Sequence, residues 1–170
     1  PQNFIYDAKL TVGTETKYSV SALTHYHHAR WRKVYWWGAE PGVHVRHNTD
    51  YLIASRAVPN YDRSFAFSEK TLASIAAGWT GAKTEPMGSG AAKPYMPTTG
   101  GRADIGLLPG WNVTYLLSMD KRAKAVALGS ADLAGSWSSH YRDKATGRPV
   151  SVRNFPYMTA IDLASLTMNP

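Results

Sequence analysis

The chain contains no cysteine, so it can form neither disulfide bonds nor thiolate zinc sites. Long apolar runs are also missing, since none approaches the roughly 18 consecutive apolar residues that indicate a membrane-spanning helix. A basic, apolar leader is absent from the start, which reads PQNF, and no helix or strand pattern closes the end. We therefore expect a fragment of a longer polypeptide, without a membrane span.

The composition is that of a globular protein. The chain has 170 residues, of which 44% are hydrophobic and 18% charged, enough for one domain or two small ones with a buried core. Nineteen lysines and arginines against twelve acidic residues give a formal net charge of +7. This charge attracts phosphates, uronates or an anionic surface through long-range, salt-sensitive forces, but it does not choose among them.

The first third of the chain has the pattern of antiparallel strands. Extended segments are predicted at 4–12, from 17 through the aromatic and basic stretch 24–37 and at 43–47, with a turn at 13–16 and an extended or mixed segment at 51–58. Strands this short, interrupted by glycine and proline, are typical of a β-sandwich.

Helical patterns follow. Ser68 is a predicted N-cap of a short helix that reaches Ala77, and residues 80–103 predict a long irregular connection. Pro109 is expected near the first turn of the next helix. Asp120 is the predicted N-cap of another helix, in which small and apolar residues recur every three or four positions as far as Trp137. The two last helices predict an αα-hairpin, so the fold class is α+β.

The stretch 24–37 concentrates three histidines, three cations and five aromatic residues. As a strand it would send alternate side chains to opposite faces. Tyr26, His28, Arg30 and Arg32 share one predicted face; His25, His27, Trp31, Lys33, Tyr35 and Trp37 share the other. Neither face is purely apolar. We therefore predict a sheet strand whose polar end lines a groove.

A metal site is one interpretation of the histidines. His25 and His27 are two residues apart, so both could reach one ion, with His44 or His47 as a third ligand. No carboxylate is close in sequence, however, and three nearby cations would repel a divalent ion. The prediction is therefore no metal and no cofactor.

Eliminative cleavage of an acidic polysaccharide is a second interpretation of the stretch 24–37. The reaction needs a base for the proton beside the carboxylate and a cation to neutralise that carboxylate. Tyr26 or His28 is the candidate base, and Arg30 and Arg32 are the candidate neutralising groups. Substrate contacts are predicted for His25, His27, Trp31, Arg102, His140 and Arg142. Core packing of Trp31 and an Arg102–Asp104 ion pair remain alternatives.

Nucleic acid is disfavoured as a partner. Basic residues interleaved with aromatic ones suit single strands, but no recognition module is present and acidic residues are spread through the chain. The glycine pair at 100–101 lacks the Lys-Ser/Thr that follows a phosphate-binding loop.

Three stretches carry a family resemblance: THYHHARWRK at 24–33, TTGGRADIG at 98–106 and HYRD at 140–143. They resemble an uncharacterised group of large bacterial and phage-associated proteins in which a β-sandwich precedes an (α/α) toroid. That architecture is similar to the exo-rhamnogalacturonan lyase-like proteins. The resemblance implies a sandwich portion at 1–66, a short helix and irregular linker at 67–105, and the first helices of a toroid at 106–170.

The resulting hypothesis is that the chain binds, and in a further step cleaves, an acidic or pectin-like polysaccharide. The parent would be an extracellular, virion-surface or cell-surface protein, with the rest of its own polypeptide as a partner. The alternative is a non-catalytic structural component of a phage tail or other surface assembly, with other chains of that assembly as partners.

Overall fold

The computed structural model describes residues 3–92, 105–136, 142–143 and 145–157. These residues form an α+β fold with one two-stranded antiparallel sheet and four α-helices. The predicted α+β class is confirmed.

The sheet is a β-hairpin made by β1 (Phe4–Val12) and β2 (Glu15–His25). Its register pairs Phe4 with His25 and Val12 with Glu15. Gly13 forms the turn with a φ of +60°, a conformation that glycine adopts without steric cost. Both predicted strands are therefore confirmed. Leu23 is the buried apolar residue of the hairpin, which otherwise exposes much of its surface.

The predicted continuation of β2 through residue 37 is wrong. The strand ends at His25, and a turn follows in which the Ala29 N–H donates to the Tyr26 carbonyl at 3.0 Å. His28 lies in the left-handed region with a φ of +64°. A ladder cannot pass through this geometry, so the chain leaves the sheet here.

The strand predicted at 43–47 is also wrong, because these residues are irregular. The segment predicted as extended or mixed at 51–58 begins within helix α1 (Thr49–Ala54), so an extended conformation there is wrong. Asn48 caps this helix by accepting from the Tyr51 N–H at 3.0 Å, and Asp50 lies in its first turn. This polar start favours a helix over the β-prone Tyr-Leu-Ile sequence that follows.

The helical predictions are confirmed. Helix α2 (Glu69–Gly78) is capped by Ser68, whose hydroxyl accepts from the Thr71 N–H at 3.1 Å. Helix α3 (Gly110–Ser118) begins after Pro109, and α4 (Lys121–Leu133) begins after the cap Asp120. Met119, with a φ of +55°, makes the tight reversal between α3 and α4. Short 3₁₀ turns lie at Ala82–Thr84 and Ala134–Ser136.

Helix α4 is the centre of the core. Its buried residues are Ala123, Val126, Ala127 and Leu133, which belong to the stripe predicted from the sequence. Helices α2 and α3 both pack against it and contribute the buried Leu72 and Leu116. The helical layer therefore holds most of the buried apolar side chains of the described residues.

Candidate functional site

The segment after the hairpin alternates between exposed and half-buried side chains although it forms no ladder. His28, Arg30 and Arg32 are exposed, whereas Trp31, Lys33 and Tyr35 are half-buried. The predicted division into two faces is therefore confirmed for residues 28–35, even though the predicted strand is wrong. Trp37 departs from the pattern, with 86% of its surface exposed.

Arg30 is fixed by its backbone to the end of α4. Its N–H donates to the Gly135 carbonyl at 2.6 Å, and its carbonyl accepts from the Ser136 hydroxyl at 3.2 Å. Among the described residues its guanidinium has no hydrogen-bond or ion-pair partner. A pinned backbone and an exposed, uncommitted guanidinium make Arg30 the best-placed cation of the segment for an external anion.

The two cations that follow Arg30 are already paired. Arg32 lies 3.3 Å from the Asp132 carboxylate, at a position where its side chain remains 71% exposed. Lys33 forms an ion pair with Glu85, and its ammonium lies 4.7 Å from the centre of the Tyr18 ring. Arg32 can exchange Asp132 for a ligand, because an ion pair whose arginine is largely exposed contributes little. Lys33 instead attaches the segment to the loop that carries Glu85.

His25 and Trp31 belong to a chain of hydrogen bonds inside the hairpin face. The Trp31 indole N–H donates to the Tyr6 hydroxyl at 2.9 Å, and that hydroxyl lies 2.8 Å from Nδ1 of His25. His25 Nε2 lies 2.7 Å from the Ala29 carbonyl, which can only accept. The imidazole is therefore protonated on Nε2, and Nδ1 accepts from Tyr6. Both ring nitrogens are used within the protein in this arrangement.

Tyr26 lies beside a second arginine. The Arg142 guanidinium carbon is 5.5 Å from the centre of the Tyr26 ring, within cation–π distance, and Arg142 also donates to the Gly147 carbonyl at 2.8 Å. His27 is held through its backbone N–H, which donates to Asn3 at 3.1 Å. The imidazoles of His27 and His28 have centroids 3.7 Å apart. Two turn positions, 27 and 28, thus lie between Tyr26 and the exposed arginines.

Glu85 lies beside two tyrosines beneath the segment. Burial, followed by the Glu85 carboxylate, raises the pKa of Tyr18. Burial, followed by Tyr18 and Glu85, raises the pKa of Tyr35 to about 12. The Tyr35 hydroxyl is buried and has no hydrogen-bond partner among the described residues. Both phenols are therefore neutral at physiological pH and cannot act there as tyrosinate bases.

The histidines do not gather around a metal position. His44 and His47 donate from Nε2 to the carbonyls of Met119 and Leu116, at 3.1 and 2.8 Å, at the C-terminal end of α3. They stabilise a helix end, where carbonyls lack intrahelical partners. In the part of the chain that the structure describes, no group of three histidine or acidic side chains could hold an ion.

Two of the predicted contact residues, Arg102 and His140, lie outside the described residues. The other predicted residues lie on the segment 25–32 or, for Arg142, beside Tyr26. None of the predicted residues within the described ranges lines the cavity described next.

The sequence analysis missed a cavity of about 460 Å³ in the helical layer. Helix α2 provides Ser74, Ile75, Gly78 and the adjoining Trp79; α3 provides Gly110, Trp111 and Thr114; α4 provides Ala123 and Val126; Lys83 and Ala91 complete the lining. The sequence pattern around a tryptophan does not show whether its side chain is packed in the core or lines a cavity. The contact between the three helices creates this site.

No family model matches the chain, and no match was found among curated proteins or solved structures. None of the helices in the described ranges is long and apolar enough to cross a membrane.

Proposed function

We propose that this chain binds an acidic polysaccharide along the exposed side of residues 28–32. The observation that carries the proposal is Arg30, whose backbone is hydrogen-bonded on both sides to the end of α4 while its guanidinium remains exposed and unpaired among the described residues. His28 and Arg32 are exposed as well. Arg30 and Arg32 are two cations close together along the chain, which suits a polymer with repeated carboxylates.

The net charge of +7 supports the same proposal. A basic protein attracts a polyanion over a distance of about a Debye length, and the exposed arginines then supply short-range hydrogen bonds. Charge alone fits other polyanions as well. The saccharide is preferred because the segment also exposes Trp36, an aromatic surface on which a sugar ring can stack.

The proposed chemistry is eliminative cleavage. Tyr26 or His28 removes the proton on the carbon beside the carboxylate, and Arg30 with Arg32 neutralises the developing negative charge. The C–H electrons form a carbon–carbon double bond, the bond to the glycosidic oxygen breaks, and that oxygen takes a proton from solvent. This step requires that the base and the arginines reach the same sugar unit.

The test is a titration with polygalacturonate at low and high salt, using Arg30→Gln and the matched control Arg46→Gln. Arg46 is an exposed arginine outside residues 28–32, and it has no hydrogen-bond or ion-pair partner among the described residues. We expect Arg30→Gln to weaken binding about tenfold or more and Arg46→Gln to change it little. Equal effects of the two substitutions would show that only net charge matters.

Cleavage is tested separately, by the ultraviolet absorbance of the unsaturated product. Absorbance that grows with the wild type and not with Tyr26→Phe or His28→Gln identifies the base. If the protein binds the polysaccharide but the absorbance does not rise, the protein is a binding protein and the proposed elimination is wrong.

A structural component of a surface or virion assembly is the second candidate, and a specific observation favours it. In residues 31–47 no backbone N–H or carbonyl forms a backbone–backbone hydrogen bond within the described chain. The same segment exposes large apolar side chains, including Trp37 at 86%, Val43 at 84% and Val45 at 89%. Open backbone groups beside apolar side chains are typical of a surface that another strand covers.

The architecture that we propose, within a longer parent polypeptide, is a β-sandwich portion (1–66), a short helix and irregular linker (67–105) and the first helices of an (α/α) toroid (106–170). Pairing of residues 31–47 with strands elsewhere in that polypeptide would enlarge the sheet of β1 and β2, and a toroid would be built from helical hairpins such as α3–α4. Hydrogen exchange on the parent protein tests this. Slow exchange of amides 31–47 there, with fast exchange in the isolated chain, is the expected result.

A further inference from the structure

We propose that the cavity between α2, α3 and α4 is a separate subsite for one acidic sugar unit. This inference rests on the proposed binding of acidic polysaccharide and adds a second location for it, away from residues 28–32. The cavity volume of about 460 Å³ falls in the range of small-ligand sites and is large enough for a single sugar ring.

The walls have the chemistry that a sugar ring requires. Trp79 and Trp111 provide two indole surfaces, and Ser74 and Thr114 provide hydroxyl groups. The Thr114 hydroxyl donates to the Gly110 carbonyl at 2.8 Å, so its oxygen can still accept. A lining that combines apolar surface with a few polar groups suits a sugar ring better than a purely apolar ligand.

The donors around the cavity favour an anionic ligand. Within the described residues, the Lys83 ammonium and the two indole N–H groups have no hydrogen-bond or ion-pair partner. Within the described residues, no carboxylate lines the cavity. A carboxylate on the ligand would complete the set through a charge-assisted hydrogen bond with Lys83.

The site is held in shape without a ligand. Trp79 packs so closely on Gly129 of α4 that a Cβ at Gly129 would overlap the six-membered ring and lie 3.2 Å from Cε2. The loop that carries Lys83 is tied down by two hydrogen bonds: the Gly90 N–H donates to the Lys83 carbonyl at 2.8 Å, and the Ala91 N–H donates to the Ser130 hydroxyl at 3.2 Å. A preformed cavity requires little ordering when a ligand binds.

The experiment is an NMR titration of the ¹⁵N-labelled protein with D-galacturonate, followed through the indole N–H signals. We expect saturable shifts of the Trp79 and Trp111 signals, with Trp111→Phe identifying its own signal. Lys83→Met should weaken binding about tenfold, and Lys70→Met, an exposed lysine of α2 outside the cavity, should leave it unchanged. D-galactose, which lacks the carboxylate, should bind more weakly and show no dependence on Lys83.

Three results would overturn the subsite: no indole shift, equal affinity in Lys83→Met, or the same shifts with inorganic phosphate alone, which would indicate a simple anion site. The polymer titration keeps this outcome separate from the proposed function. If polygalacturonate binding depends on Arg30 but persists in Lys83→Met, the surface site is supported and the cavity does not contribute to polymer binding. If the wild type does not bind polygalacturonate at all, the proposed function is wrong.

Discussion

Gly135 lies against the aliphatic part of the Arg30 side chain, so that a Cβ at Gly135 would overlap Cγ of Arg30 and lie 2.7 Å from its Nε. The Gly135 carbonyl also accepts the Arg30 N–H. One glycine therefore fixes the backbone of this arginine and leaves room for its side chain. The direction of the guanidinium depends on the end of α4 as much as on the segment that contains Arg30.

Gly135→Ala should accordingly reduce polyanion binding while the protein stays folded. The backbone of Arg30 is pinned, so the added methyl group displaces the flexible side chain and turns the guanidinium away. We expect a loss of severalfold in affinity for polygalacturonate, and a change in unfolding free energy below about 1 kcal/mol. Gly42→Ala is the control, since a Cβ there meets nothing within 4 Å. Unchanged affinity in Gly135→Ala would contradict this role.

Arg122 connects the starts of two helices, and its removal should matter least in acid. It donates to both Glu69 oxygens, at 2.5 and 2.9 Å, and to both Asp120 oxygens at 2.9 Å. Hydrogen bonds from Arg122 lower the pKa of Asp120 to about 2 and lower that of Glu69. The stabilisation is therefore complete above the unfolded carboxyl pKa, near 4, and is lost as the pH falls through about 2.

The measurement is the urea midpoint of the wild type and of Arg122→Met between pH 6 and pH 2. The variant should unfold at lower urea at pH 6, and the difference should shrink steadily below pH 4. Lys121→Met, at the neighbouring exposed position, should show no such convergence. A constant difference across the pH range would mean that Arg122 acts by packing alone.

Gly129→Ala should destabilise the helical layer, although alanine is normally the better helix former. The new methyl group would overlap the Trp79 ring, which must move out of its packed position. Overpacking of this kind costs about 1–3 kcal/mol of unfolding free energy. Leu128→Ala, on the exposed side of the same helix, should cost far less. Denaturant unfolding gives both values, and a stabilised Gly129→Ala variant would refute the packing.

Tyr35→Phe should leave the protein as stable as the wild type or more stable by about 1 kcal/mol, because it removes a buried hydroxyl without a partner among the described residues. The raised pKa, about 12, adds a pH signature. Because the folded state keeps this phenol neutral to a higher pH than the unfolded chain does, ionisation of the phenol leaves stability unchanged below pH 10 and lowers it as the pH rises from 10 through about 12.

The wild type should therefore weaken relative to Tyr35→Phe above pH 10. Tyr51→Phe is the control, with a phenol that is 67% exposed. Unfolding free energies at pH 8 and pH 11, together with tyrosinate absorbance, test both statements. A clear loss of stability in Tyr35→Phe at pH 8 would show that its hydroxyl makes a stabilising contact.

Local signals in the sequence determined the hairpin and three of the helices. Alternation with a glycine turn specifies β1 and β2, and the caps Ser68 and Asp120 with apolar three- and four-residue spacing specify α2 and α4. Alternation also grouped the side chains of residues 28–35 that the structure leaves exposed, although the sequence did not indicate which group is exposed. All of these depend on neighbours along the chain, so the sequence carries them directly.

Tertiary structure decided which residues the segment after β2 is hydrogen-bonded to. Its composition suits a strand, but its hydrogen bonds go to Gly135 and Ser136 at the end of α4, about a hundred residues away. In the same way, the sequence places Trp79, Lys83 and Trp111 without indicating that they line one open cavity beside three helices. Such contacts join residues distant in sequence, and only the packing of α2, α3 and α4 selects them.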